Sequence, residues 1–503
     1  MKLNLEKQSH HFRQTSLLMT ISGLVSKILA ATYRIPYQNL VGDRGFYAYQ
    51  QIYPFLAIIS TLSLTALPNL IASMAQKKNN PQIASFLKLQ LIVSLGLSFI
   101  LFLGHQQIAW WIGTPQLGTA IYLTSLVLLT VPLISFYRGV AQAEMNMTLT
   151  AVSQMIEQVI RVTIIMIAAI CYVIFDWTIY VTANVAVAGN LMGSLVVLIY
   201  LRRKSFFSFR EFLKKSSLSF KSFKHLGLSS LIFIIFSIYL FLFQLLDSLF
   251  IKNSLVSAGY SNQLAEISKG IYDRGQSLIQ FGLIFSTALF TSYLPKLTRL
   301  YHHNKIAYKV QSQDFFAFIF YFNVTLTTGF MSILHLMNLT LFEDNKGWAA
   351  LMFYLVIIVI SSMIQFFHQK CFIENQMRMS FIILLIGIGC KLGLTPLLTY
   401  YYGILGSSLS TLISLIIVLL IYVWLTSINW AFLCNGKFWV ALVLMLMMVL
   451  IGQSIIPLQG RLEAFISLIL STGIGLFSFL IICRKLGAFN ENLWSFLPFR
   501  KEK

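Results

Sequence analysis

Apolar windows of about twenty residues recur along the whole chain, and a segment that long has one stable environment, bilayer hydrocarbon crossed as a helix. About fourteen such windows are legible at a twenty-residue scale, starting near Thr15, Tyr47, Gln82, Thr119, Thr150, Ile179, Gly227, Asn262, Phe315, Gly347, Met379, Ile404, Phe438 and Leu462. They are called spans one to fourteen below. The composition agrees: 57% hydrophobic and 11% charged residues, with a mean hydropathy of +0.77, exclude an ordinary soluble globule. The fold class is therefore an all-α polytopic membrane protein. The first span carries Lys27 where a signal peptide would be apolar and shows no small-residue cleavage site, so it is expected to be retained.

The net charge of +21 follows membrane topology rather than a nucleic-acid footprint. Of 37 Lys and Arg, 26 fall in the N-terminal tail, in alternate loops at 76–88, 202–224, 296–309, 370–378 and 437, and in the C-terminal tail. Arg44, Lys252, Lys269, Lys346 and Arg461 alone occupy the opposite loops. The positive-inside rule then puts both termini in the cytoplasm of a multi-pass plasma-membrane protein, and "outer" and "inner" are used here in that sense. Five cysteines lie scattered in or beside apolar segments without metal-type spacing, so neither a disulfide nor a metal site is expected.

Six cations remain in or at the ends of spans: Lys27, Arg34, Arg138, Arg161, Arg274 and Lys391. Lys27 stands about twelve residues into the first span, roughly 18 Å deep at 1.5 Å per residue, and so cannot face lipid. Arg34 follows seven residues later on nearly the same helix face. One helix thus carries a basic stripe, which serves either a polar cavity or a structural ion pair. In span five, Glu157 and Arg161 stand at i,i+4, where an internal ion pair is expected over direct cargo contact.

Other local signals set further expectations. Gly-Asp-Arg-Gly at 42–45 reads as a tight outer turn, and Pro68 should kink or end span two. Residues 202–224 hold eight basic residues, one acid and six phenylalanines, a mixture suited to lying on anionic membrane lipids, with a solvated linker as the alternative. Span eight is too long for one perpendicular crossing, and Gly270 and Gly275 are its weak points for bending. It brings the Asp273-Arg274 pair into the outer part of any central cavity, or else forms an outer-rim salt bridge.

Leu67-Pro68-x-Leu70 recurs as Leu294-Pro295-x-Leu297, and a shift of similar size superposes Arg161 on Lys391 and Asn146-Met147 on Gln376-Met377. This pattern predicts two six-helix lobes of the same orientation. The domains are then residues 1–201 for the first lobe, 202–226 for a basic linker, 227–427 for the second lobe, and 428–503 for two added helices and a tail. Cargo sites in such folds lie between the repeats, near mid-membrane.

Several stretches carry a family resemblance: YRIP with GDRGFYAYQQIYP, RGVAQAEMNMTLTAVSQMIEQVIRV, GIYDRGQSLIQFG and KLGLTPLLTYYYGILGSSLST. They are similar to the polysaccharide-transport branch of the multidrug/oligosaccharidyl-lipid/polysaccharide exporter superfamily, and within it most resemble the MurJ-like lipid II flippases. The resemblance implies fourteen helices in two lobes and export of an undecaprenyl-pyrophosphate-linked peptidoglycan precursor, with the cell-wall synthesis machinery as a candidate partner. It also implies that basic residues of spans one and eight meet the pyrophosphate. Here these are Lys27 in Ser26-Lys27, Arg34 in YRIP, and Arg274 beside Asp273. Span two contains no charged residue between Tyr47 and Ala75, whereas some relatives place charges there.

In some relatives a span-seven aspartate and polar groups of span eleven bind sodium. Asp247 holds the first place here, and Thr395 stands where the family pattern has an asparagine. Lys391, one turn from Thr395, is expected to pair with Asp247 in place of an ion. No cofactor, nucleic acid or catalytic residue is implied. A drug or cation antiporter would need more membrane carboxylates than a chain with sixteen acids offers, and an enzyme would need a catalytic cluster in a sizeable outer loop. A flippase for another lipid-linked saccharide fits the same charges.

Overall fold

The computed structural model describes residues 32–76, 80–205, 220–426, 428–456 and 460–494, with isolated positions at 25, 28, 29, 209 and 496. Lys27 and most of the basic linker lie outside the described residues. Every regular element among the described residues is helical. Twelve helices are long and apolar enough to cross a membrane. One of them, Met377–Leu425, has 49 residues, about 74 Å at 1.5 Å per residue and more than twice a ~30 Å hydrocarbon core. Gly403, at φ 58° and ψ −142°, breaks it into the expected spans eleven and twelve. With that division, and with the first span mostly outside the described residues, the spans match the fourteen windows.

The breaks and bonds inside the spans follow from particular residues. Gly42, at φ 70°, interrupts the helix Arg34–Gln50 at the expected outer turn. In span two Pro68 supplies no N–H and crowds the preceding turn, and the helix accommodates it with a π-helical turn at Leu62–Ala66 before resuming as Leu67–Gln76. Pro132 in span four likewise deprives the Leu128 carbonyl of its helical donor. The Ser94 hydroxyl of span three donates to that carbonyl at 2.6 Å, and Ser98 donates to the Ser125 carbonyl at 2.7 Å. Small hydroxyl side chains thereby satisfy backbone that lipid would leave unpaired, and they join two spans.

Span eight is one continuous helix, Asn262–His303, of 42 residues or about 63 Å, so it extends beyond the hydrocarbon. Gly270 and Gly275 remain helical within it rather than acting as bends. Gly270 instead permits a close approach, because a Cβ there would strike the Asp43 carbonyl oxygen.

The chain packs as two compact units, residues 1–273 with 395–401, and residues 274–394 with 402–503. The division falls inside span eight, between Asp273 and Arg274, so span seven and the outer part of span eight pack with the first unit. Within that unit span four is central, with 67% of its apolar window buried, whereas spans three and five have 28% and 22%. In the second unit span ten is central at 72% buried, and span fourteen is peripheral at 22%. The two C-terminal spans attach to span nine: Tyr321 packs on Phe438 with ring centroids 4.4 Å apart, and the Gln453 amide donates to the Ser332 carbonyl at 2.8 Å.

Candidate functional site

In the first unit Arg34 is 1% exposed, and its guanidinium lies 4.2 Å from the ring centroid of Tyr53. All three of its nitrogens are buried without a hydrogen bond of good geometry among the described residues, the Tyr33 hydroxyl being the acceptor that interacts with it. Tyrosines surround it: the Tyr33 and Tyr49 hydroxyls are 3.0 Å apart, and the Tyr49 ring packs against Tyr37 and Tyr53. Arg161, also buried, interacts electrostatically with Tyr33, Tyr49, Tyr53 and Glu157, and its Nε has no hydrogen-bond partner among the described residues. Two cations thus share one aromatic environment. Aromatic faces attract cations, but such contacts replace only part of the hydration a buried guanidinium loses.

The i,i+4 pair expected between Glu157 and Arg161 does not close into a salt bridge, although the two charges interact at longer range. Glu157 is held instead by Arg138 of span four, whose Nη2 donates to the carboxylate at 2.7 Å. Arg138 also donates to the Ser153 hydroxyl at 2.9 Å and to the Ser63 carbonyl, in the π-helical turn, at 3.3 Å. Helical spacing allowed Glu157 and Arg161 to meet, but a fully buried Arg138 with three acceptors in reach takes the carboxylate. The arginine of the Arg-Gly block is therefore structural, and Arg161 is left as a second buried cation.

At the outer end of the first unit, Arg44 and Lys252 share the carboxylate of Glu266 at 2.6 and 2.9 Å. Lys252 donates further to the Gly113 carbonyl and the Thr114 hydroxyl, and the Tyr180 hydroxyl donates to Glu266. The loop after span one and the ends of spans three, six, seven and eight are thereby clasped together. The hydrogen bond from Arg44 to Glu266 outweighs the opposing effect of partial burial and raises the Arg44 pKa above its ordinary value. One turn deeper Lys269 pairs with Asp273 at 2.5 Å, and the Tyr272 hydroxyl donates to Asp247 at 3.0 Å. Asp273 interacts electrostatically with Asp247 and with Arg34, which brings three of the expected site residues into one neighbourhood.

In the second unit the Arg274 side chain is 2% exposed and binds Asp344 through both arms, at 2.5 and 3.1 Å. The Phe342 ring stands 4.8 Å from its guanidinium carbon. Asp273 and Arg274 are not partners of each other, because adjacent residues on a helix point in different directions. Burial pushes the Asp344 carboxyl up, but the hydrogen bond and charge of Arg274 outweigh this and hold it below the ordinary carboxylate value. Lys346 lies 3.4 Å from the same carboxylate, and Arg461 pairs with Glu343 while donating to the Thr340 carbonyl. Lys391, fully buried, donates to the Thr411 hydroxyl of span twelve at 2.6 Å. Thr395 is also fully buried, in the first unit.

The roles of Glu266 and Asp344 escaped the sequence reading. One signal for Glu266 was available: residues 266, 269 and 273 stand at i, i+3 and i+7, one helix face of alternating charge.

The comparisons with known proteins decide the family. A family described as polysaccharide biosynthesis protein matches residues 12–301. The chain belongs to this family. It is 31% identical over 417 residues to the Bacillus subtilis (strain 168) protein named "Uncharacterized membrane protein YabM", covering 80% of this chain and 77% of that one. It is also 24% identical over 204 residues to the "Lipid II flippase MurJ" of the same organism, covering 37% and 38% of the two chains. Among solved structures, a lipid II flippase MurJ in an inward closed conformation superposes with TM-score 0.66 at 15% identity, covering 94% of this chain and 99% of that one. An inward-facing multidrug transporter of the same superfamily gives TM-score 0.60 at 12% identity, covering 79% and 93%. The family member described here therefore shares the fold of these solved exporters, as a multi-pass bundle of apolar helices.

Proposed function

We propose that the protein moves an undecaprenyl-pyrophosphate-linked peptidoglycan precursor, lipid II, from the inner to the outer leaflet of the bacterial plasma membrane by alternating access. The observation that carries this reading is the buried Arg34 guanidinium, which has no acid partner within salt-bridge distance and no well-formed hydrogen bond among the described residues, with Arg161 beside the same tyrosines. A diphosphate brings the charge and the oxygen acceptors that two such guanidinium groups lack, through charge-assisted hydrogen bonds. Lys27 and Arg274 complete the proposed contacts, with Asp273 beside Arg274. The lipid tail stays in the bilayer, and only the head group needs a polar route. A cation antiporter fits poorly, since Glu157, Glu266, Asp273 and Asp344 already hold basic partners.

Another lipid-linked saccharide, of capsule or teichoic type, would present the same pyrophosphate, and the name of the matching family favours keeping it as the second reading. Depleting the protein and measuring which lipid-linked precursor builds up on the inner leaflet separates the two. Accumulation of lipid II supports the first reading, accumulation of a different polyprenyl-linked saccharide supports the second, and accumulation of neither overturns both.

A further inference from the structure

We propose that Asp344 is a built-in counter-ion of Arg274 that the diphosphate of the cargo displaces, so that arrival of the head group frees the turn between spans nine and ten. This inference rests on the reading that Arg274 meets pyrophosphate. The two partners are unequally placed: the Arg274 side chain is 2% exposed and that of Asp344 is 24% exposed. The guanidinium, backed by Phe342, is the fixed member, and the more exposed carboxylate is the one that can leave. Both arms of Arg274 are engaged, at 2.5 and 3.1 Å, which is the fork geometry by which arginine also recognises phosphate oxygens. A diphosphate matches this pattern with more than one negative charge, so exchange favours the cargo.

The turn is built to move locally. Glu343 and Gly347 bracket it, both in left-handed backbone conformations, at φ 63° and 69°. Glu343 is tied to Arg461, which also grips the Thr340 carbonyl, so the end of span nine stays anchored when Asp344 departs. Lys346 is 63% exposed, lies 3.4 Å from Asp344, and is positioned to follow either anion.

The test uses the full-length protein in lipid nanodiscs and calorimetric titration with inorganic pyrophosphate. Wild type is compared with Asp344→Asn, Arg274→Ala, the double variant and Glu343→Gln. Asparagine keeps the shape of the side chain and the acceptor that Asp344 offers the Lys346 N–H, so the turn persists. Removing an internal competitor from this largely buried ion pair is expected to tighten pyrophosphate binding about five- to tenfold. The gain should vanish in the double variant and be absent in Glu343→Gln. A gain of the same size in the double variant, or none in Asp344→Asn, overturns the exchange. If Arg274→Ala alone still weakens binding, the cargo reading survives that result; if Arg274 matters in no background, both fall. Repeating the titration with undecaprenyl pyrophosphate in the nanodisc distinguishes the lipid-linked diphosphate from the free one.

Discussion

Glu157 is bound by Arg138, nineteen residues earlier on the preceding span, at 2.7 Å. The pair is structural, because the Arg138 side chain is fully buried and its other donors hold Ser153 and the π-helical turn of span two. Breaking a buried pair by removing one partner costs about 3–5 kcal/mol, since the survivor keeps its charge without compensation. Arg138→Ala and Glu157→Ala should therefore lower the thermal unfolding temperature and the membrane level. Arg161→Ala should leave both near wild type and reduce flipping in proteoliposomes. A large loss of stability in Arg161→Ala, with normal flipping by the surviving fraction, would reverse the two roles.

Arg34 makes the opposite prediction for stability and activity. A guanidinium buried without well-formed hydrogen bonds carries an unrecovered desolvation cost, so Arg34→Met should hold or raise thermal stability while abolishing lipid transport. The companion residue Lys27 needs only positive charge and reach: Lys27→Arg should complement a depleted strain, and Lys27→Ala should fail at normal membrane levels. Full complementation by Arg34→Met or Lys27→Ala would remove these residues from the proposed cargo site.

How much was legible in advance depended on the length scale of the signal. The spans were readable because each needs about twenty apolar residues, a pattern that survives any packing arrangement. Even the 49-residue helix divides at Gly403, where the windows near Met379 and Ile404 meet. The partners of the charges were not readable, because spacing says which side chains can meet on one helix and nothing about a competitor on another. Arg138 is such a competitor for Glu157, and Asp344 claims Arg274 from seventy residues away. The five cations assigned outside by charge distribution nevertheless share one fate. Arg44, Lys252, Lys269, Lys346 and Arg461 are each paired with an acid. The compensation is partial, because Arg44 and Lys252 share Glu266 and Lys346 shares Asp344 with Arg274.

Topology is tested by thiol access in a cysteine-free background. The outer probe is best placed at Gln116, which is exposed, rather than at Gly113, whose φ of 79° and contact with Asn253 leave no room for a side chain. Gln116→Cys should react with an impermeant reagent added to intact cells, and Ser217→Cys in the basic linker should react only after permeabilisation. The reverse pattern would overturn the assignment of both termini to the cytoplasm.

The last prediction concerns the drive. Sodium-coupled transport needs a carboxylate and several neutral oxygens converging on a dehydrated ion. Asp247 takes a hydrogen bond from Tyr272, and on span eleven the cation of Lys391 is already in place, one turn from Thr395 and bonded to Thr411. An ammonium fixed by the sequence can serve as the positive charge that a bound ion would otherwise supply. The membrane potential, acting on the many fixed charges of the protein, is then the proposed drive, at about 2.3 kcal/mol per charge per 100 mV. Flipping in proteoliposomes should be unchanged when sodium replaces potassium at constant potential, and should fall when the potential is collapsed. Lys391→Met should lose this potential-driven flipping. A sodium requirement in the wild type, or flipping that ignores the potential, would rule out the built-in cation as the coupling element.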